Sequence, residues 1–211
     1  QLGQALFYQG LFSGAIDHYN SSLKIRQELG DEYGIAIVYN NLGNVYQVWG
    51  DFERAIEYLQ KALKYFEKKG NNWAMANCYN NIGLCYENLT EDNLHRENKK
   101  ILDQAQKYHS NSLQIRKAIG DSFQIANSYM NLGNVHAKLL IQDLEMNYGD
   151  YWEDSIRGKS NQDTLFKNPL KLYRQSLEIK SNYGDKIGMA QIYNNLGRIY
   201  SQLGKYSLAD N

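Results

Sequence analysis

The sequence predicts an all-α solenoid of stacked antiparallel helix pairs, and three observations predict it. One eight-residue segment recurs four times. A Gly-Asp or Gly-Asn pair keeps step with it. The apolar residues around both follow helical spacing. Tyr39-Asn-Asn-Leu-Gly-Asn-Val-Tyr46 returns as Tyr79-Asn-Asn-Ile-Gly-Leu-Cys-Tyr86, as Tyr129-Met-Asn-Leu-Gly-Asn-Val-His136 and as Tyr193-Asn-Asn-Leu-Gly-Arg-Ile-Tyr200. Gly30-Asp31, Gly70-Asn71, Gly120-Asp121 and Gly184-Asp185 show the same spacings of 40, 50 and 64 residues. The base period is therefore 40, with 10 and 24 residues added to the later repeats.

Composition agrees with this reading. One proline in 211 residues suits a helical chain. Charged residues make up 22% and hydrophobic ones 43%, a globular mixture. Lys+Arg and Asp+Glu number 23 each, so the net basic field of a dedicated nucleic-acid or polybasic membrane binder is missing. No apolar run approaches the roughly 18 residues of a membrane helix, and no signal-peptide pattern is visible.

The elements follow in order. The first pair, about 1–30, opens with Leu2-Gly3, which aligns with Leu42-Gly43; the chain is expected to begin partway along a first helix. Its second helix carries Ala15 and Leu23. In the pair 31–70, Asp31 is a good N-cap and Gly30 can end the preceding helix in the left-handed conformation. Ile35, Tyr39, Leu42, Tyr46 and Trp49 then step by four, three, four and three, one stripe on one helical face. The second helix starts after Gly50-Asp51 with Ala55, Leu59, Ala62, Leu63 and Phe66. The pair 71–120 repeats the plan with Asn71 as cap, Met75, Tyr79, Ile82, Tyr86 and Leu89 on the first helix, and Ala105 and Leu113 on the second. The pair 121–184 has Asp121, then Ile125, Tyr129, Leu132, His136 and Leu139, then Leu177. The last, 185–211, has Asp185, Met189, Tyr193, Leu196, Tyr200 and Leu203. Ala209 aligns with Ala55, just inside a second helix. Gly43, Gly83, Gly133 and Gly197 sit in mid-helix at a cost of about 1 kcal/mol each relative to Ala, which points to close approach of a neighbouring helix. No helix can bury its stripe alone, but stacked hairpins can.

Two inserts fall between the first and second helices of consecutive pairs. The segment 90–104 lacks Gly and Pro, and Leu94, Ile101, Ala105 and Tyr108 continue a stripe; it reads as a backward extension of the second helix with Thr90 as cap. In the segment 140–168, Leu140, Ile141 and Leu144 prolong the first helix to about Asn147 and Gly149 ends it. The remainder is polar, with Tyr151, Trp152 and Phe166 as possible partner contacts; covering nearby apolar surface is the plainer role. Asn168-Pro169 is expected to restart helix.

The Tyr-x-x-Leu-Gly-x-x-Tyr run at Tyr39, Leu42, Gly43 and Tyr46, followed by Gly50, Ala55, Leu59 and Ala62, resembles the tetratricopeptide repeat family. The 40-residue period with Gly-Asp before each first helix is similar to the longer subclass found in Pins/LGN-type scaffolds; the family's closing proline is absent. The resemblance implies a right-handed superhelix whose first helices line the concave face, where partner peptides lie. The family's inward positions fall on Asn40, Asn41, Asn44 and Gln47 beside Ile37; on Asn77, Asn80 and Asn81 beside Leu84 and Glu87; on Asn127, Asn131 and Asn134 beside Met130; and on Gln191, Asn194, Asn195 and Arg198. A carboxamide both donates and accepts. Such a ladder can hold a peptide backbone, or can tie helices to each other. A carboxylate clamp of the kind known in this family needs basic residues here, and only Arg198 is one.

Nothing in the sequence adds up to chemistry. His18, His95, His109 and His136 are scattered, and no metal-ligand spacing, phosphate loop or nucleophile elbow appears. Glu91-Asp92 and Glu153-Asp154 read as solvated loop charges. Cys78 and Cys85, seven apart on one helix, are about 10.5 Å apart at about 1.5 Å per residue, too far for a disulfide. The glycosylation sequons at Asn20 and Asn88 lack a secretion signal. The expectation is a non-enzymatic, cytoplasmic protein–protein scaffold or adaptor that holds a peptide segment of a partner and needs no cofactor, metal or nucleic acid, with further repeats or domains in the full-length chain. The alternative is a regulatory or sensor module of a larger signalling protein with a kinase, cyclase or protease effector.

Overall fold

The computed structural model describes residues 2–89, 95–149, 153 and 165–202. Among them are nine α-helices and no strand. The chain divides into two compact units, Gln1–Glu91 and Asp92–Asn211.

The first unit holds α1 (Leu2–Tyr8), α2 (Phe12–Glu28), α3 (Glu32–Trp49), α4 (Phe52–Lys69) and α5 (Asn72–Asn88). Each helix packs on the next, and α3 also touches α5. The Gly-Asp punctuation sets the helix ends. Asp31, Asp51 and Asn71 accept from the backbone N–H three residues on, at 2.9, 3.0 and 3.1 Å. Gly70 ends α4 at φ +65, where an L side chain would be strained. The α4 stripe is fully inside, with Ala55, Leu59, Ala62, Leu63 and Phe66 all buried. On α3 the stripe differs from the expected one. Leu42 and Tyr46 are buried, but Ile35 and Tyr39 are half-exposed and Trp49 is 50% exposed. Ala36, Val38 and Val45 are buried instead. Steps of four and three average 3.5 residues against a helical 3.6, so the stripe drifts about 20° per heptad and Trp49 leaves the core. Trp49 stacks on Tyr46 and meets Phe12 at a tilt, with ring centroids 6.2 and 6.4 Å away.

The second unit holds α6 (His95–Ile119), α7 (Ser122–Tyr148), α8 (Lys167–Asn182) and α9 (Lys186–Gln202). Here α7 packs on α6, α8 and α9, and α8 on α9. At 25 and 27 residues, α6 and α7 exceed the 18 of α3 and α4. Their extra turns meet, joined by Lys99 donating to Asp143 at 2.8 Å. Gly149 caps α7 at φ +71. The α7 extension has a core of its own: Ala137 and Leu144 pack with Phe166, Tyr173, Ile192, Leu196 and Ile199. The helix α8 begins at Lys167 with Phe166 at the N-cap and no side-chain cap bond. Asn168 is therefore not the cap, although Pro169 does sit in the first turn. Thr90, Leu94, Glu91-Asp92, Asp154, Leu203 and Ala209 lie outside the described residues.

Two of the mid-helix glycines, Gly43 and Gly133, are contact points. A Cβ on Gly43 would stand 2.5 Å from Leu59 Cγ and 3.2 Å from the Ala55 carbonyl oxygen. One on Gly133 would stand 2.7 Å from the Tyr173 ring. Glycine lets the second helix press its large side chain against the backbone of the first.

Candidate functional site: the amide faces

The first helices carry the carboxamides. On α3, Asn40, Asn41, Asn44 and Gln47 are half-buried, as are Asn77, Asn80 and Asn81 on α5. Asn81 Nδ2 donates to Asn44 Oδ1 at 2.9 Å, and Asn80 Nδ2 to Asn81 Oδ1 at 3.2 Å. Cys78 Sγ donates weakly to Asn40 Oδ1 at 3.6 Å. Leu84 is half-buried, while Glu87 is buried.

In the second unit, Asn127 and Asn134 on α7 are half-buried and Asn131 is buried. On α9, Gln191, Asn194 and Arg198 are exposed and Asn195 is half-buried. Asn195 Nδ2 donates to Asn134 Oδ1 at 2.9 Å. This repeats the Asn81–Asn44 bond in register: Asn44 and Asn134 each follow a mid-helix glycine, and Asn81 and Asn195 each stand two before the next one. The expected ladder thus divides by role. Asn44, Asn81, Asn134 and Asn195 bridge neighbouring first helices, whereas Asn41, Gln191, Asn194 and Arg198 stay outside those bridges.

Second helices brace the same faces. Tyr173 Oη donates to Asn134 Oδ1 at 2.8 Å, and Lys180 Nζ to Asn127 Oδ1 and Asp185 Oδ2, both at 2.7 Å. Lys180 is 2% exposed and lies 5.2 Å from the Phe123 ring centroid. The Lys180 hydrogen bond, with the Gly188 N–H, holds the Asp185 carboxyl below the usual carboxylate range. Arg26 pairs with Asp31 in the same register. Arg116 holds it too and donates to the Gln124 carbonyl at 3.2 Å and to Ser128 Oγ at 2.8 Å. The second of the four registers in chain order has Phe66 beside the uncharged cap Asn71 instead. The sequence reading missed this brace; the signal was a cation four residues before Gly30, Gly120 and Gly184.

Three expected contacts in the second insert fare differently. Phe166 has no exposed surface and fills the core of the α7 extension, so it is not a partner contact. Tyr151 and Trp152 lie outside the described residues.

The titratable groups show packing, not activation. His109 is fully buried, and burial followed by the Arg116 charge pushes its imidazole down to about 3. Burial also lowers His136. Cys78 and Cys85 are buried free thiols, pushed up to about 12 chiefly by burial. Among the described residues no group of three His, Cys, Asp or Glu could hold a metal ion, and no helix is long and apolar enough to cross a membrane.

A family model described as tetratricopeptide repeat matches residues 1–68 and 34–92, and a second model of that description matches 190–211. No curated protein matches the chain in sequence. Among solved structures, BtubC (BKLC) from P. vanneervenii is similar, with a TM-score of 0.70 and 20% identity over 99% of this chain and 73% of that one. At that identity the likeness shows the fold alone. A de novo designed helical repeat protein, DHR81, is also similar, with a TM-score of 0.46 and 12% identity over 100% of this chain and 92% of that one. Repeats of the matched kind are typically non-enzymatic modules of protein interaction. Matches of this one description, over 1–92 and 190–211, together cover more than half of the 211 residues, and the chain belongs to the tetratricopeptide repeat family.

Proposed function

We propose that the chain is a non-enzymatic, cytoplasmic scaffold or adaptor that holds an extended peptide segment of a partner protein along the concave face of its first helices. One observation carries this: the same amide-to-amide bond, at 2.9 Å, recurs in both units. A bridge uses one N–H of its donor and one lone pair of its acceptor, so each carboxamide keeps further capacity. The unbridged Asn41, Gln191 and Asn194 flank the bridges and are the residues assigned to the partner backbone. A preformed surface of this kind lowers the ordering cost of binding. The reading takes the 40-residue repeats as the longer subclass resembling Pins/LGN-type scaffolds, set among further repeats or domains of the full-length chain.

The bridges decide how to test it. Replacing Asn44, Asn81 or Asn134 loosens the helices as well as the face, so those variants do not separate binding from packing. Asn41→Ala, Gln191→Ala and Asn194→Ala together leave every bridge in place. Photo-crosslinking from Asn41 and Asn194 should capture a discrete partner segment, and the triple variant should lose it with an unchanged thermal midpoint. Capture that is equal in the triple variant sinks the groove reading.

A further inference from the structure

Charge in the first unit is divided unevenly between first and second helices. Glu32 is the one charged side chain among the 18 residues of α3, and Glu87 the one among the 17 of α5. Neither helix has a lysine or an arginine. The 18 residues of α4 carry eight charges, from Glu53 to Lys69. Neither of the two acids is offered among the amides. Glu32 stands about two turns before Asn40, with Lys68 Nζ 4.0 Å away, and Glu87 is buried. In the second unit, α7 follows the same rule where it bears its amides. No Asp, Glu, Lys or Arg occurs from Ser122 to Ala137, and Lys138, Asp143 and Glu145 follow only in the extension. Helix α9 departs from the rule at Arg198.

The neutral strip lies inside the array. Helix α3 packs on α2, α4 and α5, and Asn44 on α3 is bonded to Asn81 on α5. Asn40 and Gln47 share the face of Asn44 by helical spacing, and Leu84 shares that of Asn80 and Asn81. All six are half-buried. A strip that met only water would have no reason to exclude charge, and α4 tolerates charge next door. A strip that gives up water to a partner has such a reason. An ion desolvated without a counter-ion costs far more than an amide that keeps its hydrogen bonds. The requirement is mutual. A charged side chain on the partner would lose its water over α3 and α5 and find no opposite charge there.

We propose that the first unit selects an extended segment of its partner that carries no Asp, Glu, Lys or Arg over roughly six consecutive residues. The length follows from packing. Neighbouring helices stand about 8–10 Å apart and an extended chain rises about 3.3 Å per residue, so each helix faces about three residues. Serine, threonine, asparagine and glutamine suit the run, since each can bond to the amide capacity that the bridges leave over. An apolar residue suits Leu84. This selection rests on the groove reading and narrows it from any peptide backbone to an uncharged segment. It also makes a phosphate within the run a release signal, because about −1.5 to −2 units of charge would face a strip without a cation.

The probe is a displayed library of random peptides, selected on residues 1–211. Side-chain amide signals of Asn40, Asn44, Asn80 and Asn81 in isotope-labelled protein report whether an enriched peptide occupies the strip. The expected result is enrichment of runs without charge, together with movement of those signals. An enriched peptide with one serine in its run should bind at least tenfold more weakly in the phosphoserine form. Gln47→Lys places a cation near the C-terminal end of α3, where the helix dipole accommodates it. That variant should turn the selection towards runs bearing an Asp or Glu, a switch that misfolding cannot imitate. Three results refute the neutral requirement and leave the groove reading standing: peptides that move the signals but carry charge in the run as often as the library does, equal binding by the phosphoserine form, or a Gln47→Lys selection identical to the parent's. No enrichment, or enriched peptides that leave the four signals still, refutes both.

Discussion

Acidification should weaken the second unit through one side chain, His109. Its register equivalents are Tyr19, Leu59 and Tyr173, and it is buried as completely as they are. In the unfolded chain its pKa is about 6.5; in the fold, burial and the Arg116 charge bring it to about 3. The sign follows. Above about pH 6.5 the imidazole is neutral in both states and the pH has no leverage. Below it, the unfolded chain takes up a proton that the fold refuses, so stability falls as pH drops from 6.5 toward 3. Each pH unit in that window is about 1.4 kcal/mol, so roughly 2 kcal/mol is lost by pH 5. His136 is shifted the same way by burial and adds to the trend. Urea unfolding at pH 7.5 and 5.0, on the parent and on His109→Leu, isolates the contribution. The variant adopts the Leu59 solution and should lose about 2 kcal/mol less than the parent between the two pH values. Parallel losses would mean that His109 is solvated or protonated in the fold, and would refute the argument.

Other consequences concern the braces and the glycines. Lys180→Phe and Asp185→Asn should each lower the thermal midpoint. Together they recreate the Phe66/Asn71 solution, so the double variant should lose less than half the sum of the single losses, as calorimetry would show. Gly133→Ala forces the Tyr173 ring aside and should cost about 1–3 kcal/mol in urea unfolding despite the better helix propensity of alanine. Cys78 and Cys85 should resist an aromatic disulfide reagent at pH 8 in the native state and react at once in denaturant, because each thiol is buried and pushed up to about 12.

The punctuation of the fold was legible because it is local. A Gly-Asp pair stops one helix and caps the next through bonds spanning three residues, and such signals survive in a bare sequence. The α4 stripe was legible as well, since its buried residues, Ala55, Ile56, Leu59, Ala62, Leu63 and Phe66, keep one helical spacing. The α3 stripe was only half legible. That helix is flanked by both α2 and α4, so its second buried strip, Ala36, Val38 and Val45, interleaves with the first and blurs the period. Phe166 was left with two roles because an aromatic residue in a polar segment looks the same whether it seeks a partner or its own core, and it takes the plainer one. What decided it was the extension of α7, whose Leu144 gave the ring a place to go. The amides posed the hardest question, because their family position says that they face inward but not what they bond.

Asparagine suits both roles at once. A leucine in place of Asn44 would pack its helix but offer a partner no hydrogen bond. A lysine would offer donors alone, and would carry a charge that an uncharged peptide backbone does not neutralise. A carboxamide bridge sets the spacing of adjacent first helices and fixes the rotamers of both residues, so part of the entropy of presenting amides to a ligand is lost on folding and not on binding. The recurrence within α3–α5 and within α7–α9 is then the pattern the proposed peptide binding expects of each unit. The exception obeys the same logic. Leu84 stands where Asn44 and Asn134 stand, so α5 has no bridging acceptor to offer at that position. A bound backbone would there meet a methyl-bearing side chain, and a partner segment that uses this face should carry an apolar residue opposite Leu84.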